Sequence, residues 1–141
     1  MKAFLDTNIL LDILVPERPS HDSSLKILQL AREHHFELQV STQSLTDTQY
    51  ILSQKKKDFS VFDGMVRWML NHLNIDGPDS FHLRDALDHY TGDFEDDLQY
   101  AYALDNACDV LVTGDRAFIE RKTPGEILMM TPEEFVARMQ A

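Results

Sequence analysis

The chain has 141 residues, a length that fits one domain. Its 43% hydrophobic and 26% charged residues exclude disorder, collagen-like repeats and a coiled coil. Thirteen Lys+Arg against 24 Asp+Glu give a formal net charge of −11, so a general basic surface for nucleic acid is excluded, and any phosphate ligand must be drawn in by another agent, such as a divalent cation.

The N-terminal stretch MKAFLDTNILLDIL is hydrophobic but interrupted by Asp6, Asn8 and Asp12, with no small-residue cleavage site after it, so it does not read as a signal peptide. Lys2–Leu5 reads as a strand ending at Asp6. Ile9, Leu10, Ile13 and Leu14 recur at helical spacing until Pro16 and Pro19 break the pattern. Ser20 or Asp22 caps a second helix carrying Leu25, Leu28 and Ala31, which fades at His34-His35. Glu37–Ser41 alternates and reads as a second strand. Thr42 to Lys55 reads as a helix ending in Lys55-Lys56-Lys57, where cations suit the helix dipole.

Val61, Met65, Trp68, Met69 and Leu73 mark a helix from about Phe59 to Leu73, with a turn at Gly77-Pro78. Short helices follow at Ser80–His89 and Glu95–Asn106. Asp109–Val112 is an apolar run entering the loop Thr113-Gly114-Asp115, and Glu126–Met130 is a final strand. Thr131-Pro132-Glu133-Glu134 starts a last helix, with Thr131 as N-cap, Pro at N1 and Glu at N3. The single cysteine, Cys108, precludes an intrachain disulfide and points to a reducing compartment; before a buried strand it reads as an inert small hydrophobe. No segment reaches the ~18 apolar residues of a membrane span, and a soluble cytoplasmic protein without membrane contacts is expected. Tyr50, Tyr100 and Tyr102 read as packing residues, and Trp68, Met65 and Met69 as core or interface.

Strands alternating with helices give an α/β class with a central, mainly parallel sheet flanked by helices, in one domain spanning 1–141. Ligands collect at the carboxyl ends of such strands, which is where Asp6 and Asp115 fall. Asp47 lies five residues beyond Thr42, and Asp96 lies in a helix's first turn, nineteen residues before Asp115. Gathered carboxylates repel one another and persist where a cation neutralises them. An all-oxygen set suits Mg²⁺ or Mn²⁺, whereas zinc finds too few His and Cys ligands. Such an apparatus hydrolyses phosphodiesters. Each acid also has a plain structural reading: a helix cap for Asp6, a turn residue for Asp115, a dipole partner for Asp96 among Asp93, Glu95 and Asp97, and a solvated helix residue for Asp47.

The run Phe4-Leu5-Asp6-Thr7-Asn8-Ile9-Leu10-Leu11-Asp12 resembles the opening motif of PIN domains, and Thr113-Gly114-Asp115 resembles their closing acidic motif. Between them, Ser41-Thr42-Gln43 through Leu52 is similar to the segment carrying the second acid, and Phe94-Glu95-Asp96-Asp97-Leu98-Gln99 to the one carrying the third. The tail Met130-Thr131-Pro132-Glu133-Glu134-Phe135 resembles the end of one bacterial subgroup. The resemblance covers nearly the whole chain. It implies a Rossmann-like PIN fold and an Mg²⁺- or Mn²⁺-dependent endoribonuclease acting on RNA. It further implies the toxin of a VapBC-type pair, with an antitoxin partner and a homodimeric state. By position, Asp6, Asp96 and Asp115 would be metal ligands. Asp47, standing where most of the family has Glu, would complete the catalytic set and reach an ion through water. Asn8 and Thr113 would be supporting groups.

Three other readings compete. A phosphohydrolase with an aspartyl nucleophile needs an acid two residues later, where Asn8 stands. A receiver domain needs a Lys after a late strand, and none follows Asp109–Val112. A PIN-fold module that binds RNA or protein without turnover is favoured by Asp47 in place of Glu. Lys55-Lys56-Lys57 reads as a solvated helix end, and Arg116, Arg121 and Lys122 form the other basic grouping, with Arg116 expected in a surface ion pair.

Overall fold

The computed structural model describes residues 1–141. Five strands form one sheet: β1 (Lys2–Leu5), β2 (Glu37–Ser41), β3 (Asn74–Asp76), β4 (Val110–Val112) and β5 (Leu128–Met130). The helices are α1 (Thr7–Leu14), α2 (His21–His34), α3 (Thr42–Gln54), α4 (Phe59–His72), α5 (Ser80–Asp88), α6 (Phe94–Asp105), α7 (Arg116–Lys122) and α8 (Pro132–Gln140). All strand pairs are parallel and their order is β3-β2-β1-β4-β5. Ala3 pairs with both Leu38 and Val110, and Leu5 with Val112. The chain therefore winds outward from β1 on one side, then returns to wind outward on the other. That reversal leaves a crevice at the carboxyl ends of β1 and β4, the place where open parallel sheets bind ligands.

The central strands are continuous apolar runs because helices cover both faces of the sheet. Ala3, Leu5, Val110 and Val112 point into the larger core, against Ile9, Leu10, Ile27, Leu30 and Phe135. Phe4 and Leu111 point the other way, against Tyr102, Phe118, Ile127 and Met129. Tyr102 is fully buried, and its hydroxyl meets Gln39 Nε2 at 2.7 Å. Cys108 is buried, as expected of a small hydrophobe, and burial pushes its thiol up to about 11. No helix is long and apolar enough to cross a membrane.

Two elements depart from the sequence reading. The strand β3 is three residues long with Ile75 as its one apolar side chain, so it carries no alternation to read; pairing of Val40 with Ile75 creates it. The helix α7 follows Asp115, where the sequence suggested only a loop. Two smaller corrections concern side chains. Ser20 precedes α2 but makes no capping bond; its hydroxyl reaches Glu133 at 3.2 Å instead. Tyr50 is 66% exposed and packs in no core, because it lies on the outer face of α3. The lysines 55–57 are exposed after α3, and Arg116 pairs with Glu134 at 3.0 Å, both as the sequence suggested.

Candidate active site

Strand β1 ends at Leu5, and the next residue, Asp6, caps α1 in extended backbone (φ −70°, ψ 163°). Its Oδ1 accepts the Thr7 N–H at 2.7 Å. Across the crevice β4 ends at Val112, and Thr113 follows. The Thr113 hydroxyl donates to Asp6 Oδ2 at 2.8 Å and accepts from Asn8 Nδ2 and from the Asp115 N–H, each at 3.1 Å. One donor and two acceptor positions exhaust a hydroxyl. Asn8 is also fully engaged: its Nδ2 reaches Asp6 Oδ2 at 3.3 Å as well, and its Oδ1 accepts the Gly114 N–H at 2.8 Å. Asn8 and Thr113 thus stitch the β1–α1 turn to the β4–α7 turn. Asp115, half-buried, caps α7 by accepting the Phe118 N–H at 3.2 Å.

Asp6 is only 6% exposed. Burial raises its pKa, the bonds from Thr113 and Thr7 oppose that, and the Asp115 charge adds to it. Asp96 comes in from the first turn of α6. Desolvation pushes it up to about 6, with further pressure from the charges of Asp6, Asp93 and Asp115. The structure therefore brings Asp6, Asp96 and Asp115 within one another's fields. It places Asp47, from α3, against Glu95 at the start of α6. Glu95 is exposed overall, yet its carboxyl end is pushed up to about 7 by a hydrogen bond with Asp47, by desolvation, and by the charges of Asp47, Asp6 and Asp96.

Two residues here were not singled out from the sequence. Glu95 was taken as part of the crowding around Asp96. Arg121, at the end of α7, donates from Nη2 to Asp96 Oδ2 at 2.5 Å, while its Nε is buried without a partner. The signal for α7 was present: an Asp N-cap, an apolar pair Phe118-Ile119 and a basic last turn.

As the side chains stand, no three His, Cys, Asp or Glu groups enclose a common point that would hold an ion. Instead the Arg121 guanidinium sits against Asp96 Oδ2. The donor set nevertheless suits a hard cation: every group is a carboxylate, Asp6 and Asp96 are held protonated more readily than ordinary acids, and Asp47 Oδ2 is buried with no hydrogen-bond partner. A divalent ion would add to the positive charge that the Arg121 guanidinium brings to these acids.

A sequence comparison with curated proteins finds Ribonuclease VapC1 of Aquifex aeolicus, 28% identical over 142 residues, covering 97% of this chain and 94% of that protein. Among solved structures, VapC20 of Mycobacterium tuberculosis, described as a sarcin-ricin loop cleaving toxin, superposes with a TM-score of 0.68 at 12% identity, covering 89% of this chain and 98% of its own. VapBC2 of Rickettsia felis, solved bound to a DNA fragment from its promoter, gives 0.66 at 21% identity over 93% and 98%. These structural likenesses speak to the fold. The PIN domain family model matches residues 2–117, a span that runs from β1 into the start of α7 and includes all four acids and their supporting Asn8 and Thr113. The chain belongs to the PIN domain family.

Proposed function

We propose that this chain is a divalent-metal-dependent endoribonuclease, acting in the cytoplasm as the toxin of a VapBC-type pair and assembling as a homodimer. The observation that carries the reading is the meeting of Asp6, Asp96 and Asp115 at the crevice between β1 and β4, with Asp47 and Glu95 beside them. The likeness to Ribonuclease VapC1 over nearly the full length of both chains supports RNA as the substrate, and the VapBC2 structure supports an antitoxin partner.

In this reading Asp6, Asp96 and Asp115 hold Mg²⁺ or Mn²⁺, and Asp47 with Glu95 supports the ion through water. Bound there, such ions supply an activated water as nucleophile and charge stabilisation for the leaving oxygen. Thr113 and Asn8 hold the Asp6 carboxylate in one orientation. Asp115 is tied through its N–H to Thr113 and through Oδ1 to α7, which leaves Oδ2 for an ion or substrate water. Arg121 must yield, or share, Asp96 Oδ2 when an ion arrives.

The test is cleavage of structured and unstructured RNA with Mn²⁺ or Mg²⁺, comparing wild type, Asp6→Asn and EDTA. Cutting that needs the ion and vanishes in Asp6→Asn is the expected result. A second reading, a PIN-fold module that binds RNA without turnover, draws on the short Asp47 side chain and on the guanidinium seated on Asp96. Tight Mn²⁺ binding by calorimetry with no cleavage of any RNA would favour it.

A further inference from the structure

We infer that Arg18 forms a second phosphate-binding position beside the candidate active site, one that grips the RNA backbone next to the bond being cut; the inference rests on the nuclease reading above. A cleft of about 330 Å³ opens beside the crevice, lined by Asn8, Gly114 and Asp115 on one side and by Asp12, Arg18 and Ser20 on the other. No hydrophobic residue lines it, and it is continuous with the site through Asn8 and Asp115.

Arg18 is built into this wall. Its Nε donates to Asp12 Oδ1 at 2.7 Å, and Asp12 is itself only 4% exposed. The second oxygen of Asp12 accepts the Ser24 hydroxyl at 2.8 Å, and the Asp12 carbonyl meets His21 Nδ1 at 2.6 Å, so the anchor is fixed on three sides. Anchoring through Nε leaves Nη1 and Nη2 with no partner in the chain. A planar fork of free N–H groups, pre-oriented by a buried carboxylate, matches the oxygens of a phosphodiester.

Of the cations near the carboxyl edge of the sheet, Arg18 is the one that lines this cleft. Near the carboxyl edge of the sheet, Arg116 is paired with Glu134, Arg121 with Asp96 and Lys122 with Asp97. In a chain of net charge −11, a polyanion at this edge needs bound cations or terminal nitrogens left unengaged to offset the repulsion. Arg18 supplies such nitrogens.

The experiment measures binding of a short fluorescein-labelled single-stranded RNA by anisotropy to the wild-type chain as parent, with Ca²⁺ in place of Mg²⁺ so that the acids keep an ion while strands stay intact, cleavage being followed separately with Mg²⁺. The parent is compared with Arg18→Gln and Arg18→Lys across a salt series. Loss of one phosphate contact on a single strand lowers the slope of log K against log salt by about 0.7. Arg18→Gln is expected to show that change and to weaken binding roughly tenfold at low salt. Arg18→Lys is expected to keep the slope with reduced affinity. In the otherwise native enzyme, Arg18→Gln is expected to raise KM with kcat kept. Since Arg18→Gln leaves the buried Asp12 carboxylate without its cation, the series is repeated in Asp12→Asn/Arg18→Gln, which removes both charges. An unchanged salt slope with RNA still bound and cut would overturn the phosphate position while leaving the nuclease reading intact. Absence of RNA binding in the parent, with Mn²⁺ still bound, would overturn the nuclease reading and this position with it.

Discussion

The Thr113 hydroxyl and the Asp6 carboxylate, 107 residues apart in the chain, meet at 2.8 Å across the crevice between β1 and β4. That bond, the Asn8 amide and the Asp115 N–H form one closed network in which every hydroxyl position of Thr113 is used. Thr113→Val keeps the shape and removes all three bonds. It leaves Asp6 Oδ2, Asn8 Nδ2 and the Asp115 N–H short of partners inside a buried turn. A loss of about 2 kcal/mol is expected in urea denaturation, together with at least a tenfold fall in RNA cleavage. Thr113→Ser should recover most of both.

Glu95 and Asp96 set a pH dependence with a definite sign. Both carboxyls are raised in the folded protein, Glu95 from 4.5 to about 7 and Asp96 from 3.8 to about 6. The folded chain therefore keeps protons that the unfolded chain releases. Their stabilising contribution is complete below the unfolded values and is lost as pH rises through about 6 and then 7. In EDTA the melting temperature should fall between pH 5 and pH 7.5, and Glu95→Gln should make that fall shallower. Added Mn²⁺ should raise the melting temperature more at pH 7.5 than at pH 5.5, because the ion replaces the missing protons. An equal gain at both values would count against these acids as the ion's ligands.

In the proposed site, Arg121 and a divalent ion would compete for Asp96. The guanidinium sits on Oδ2 and presents a fixed positive charge to any incoming cation. Arg121→Met should tighten Mn²⁺ binding, measured by calorimetry at pH 7.5, by about tenfold. Weaker binding in Arg121→Met would instead mean that Arg121 holds Asp96 in its ligating position.

Phe118 links core packing to the site. Its ring is fully buried in the smaller core, while its N–H is capped by Asp115. Phe118→Ala should cost about 3–5 kcal/mol. It should also loosen α7, which carries both Asp115 at its cap and Arg121 at its end. Cleavage should therefore fall further than in a core variant remote from the crevice, such as Leu30→Ala, measured at a temperature where both remain folded.

The sequence by itself determined the class of fold, because the two central strands are buried on both faces and so appear as unbroken apolar runs at Lys2–Leu5 and Val110–Val112. It determined where Asp6 and Asp115 lie, since Asp6 directly follows the first such run and Asp115 follows the second after Thr113-Gly114, and it determined the cap at Thr131, whose hydroxyl accepts the Glu134 N–H as its spacing implied. Only the tertiary structure decided the rest. The pairing of β3 with β2 makes a strand of three residues that have no pattern of their own. The burial of Phe118 makes a helix of a segment that looked like a loop, and that helix delivers Arg121 to Asp96. Glu95 was hidden among three neighbouring acids, Asp93, Asp96 and Asp97, and which of the four turns toward Asp47 depends on how α6 is seated on the sheet. Arg18, alone after Pro16 and Glu17, gained its orientation from a carboxylate that looked like one more interruption in a hydrophobic helix. Local spacing records which faces of an element are apolar. It does not record which polar side chains from distant elements come to share a cleft, because that is settled by strand order and by the packing of helices against the sheet.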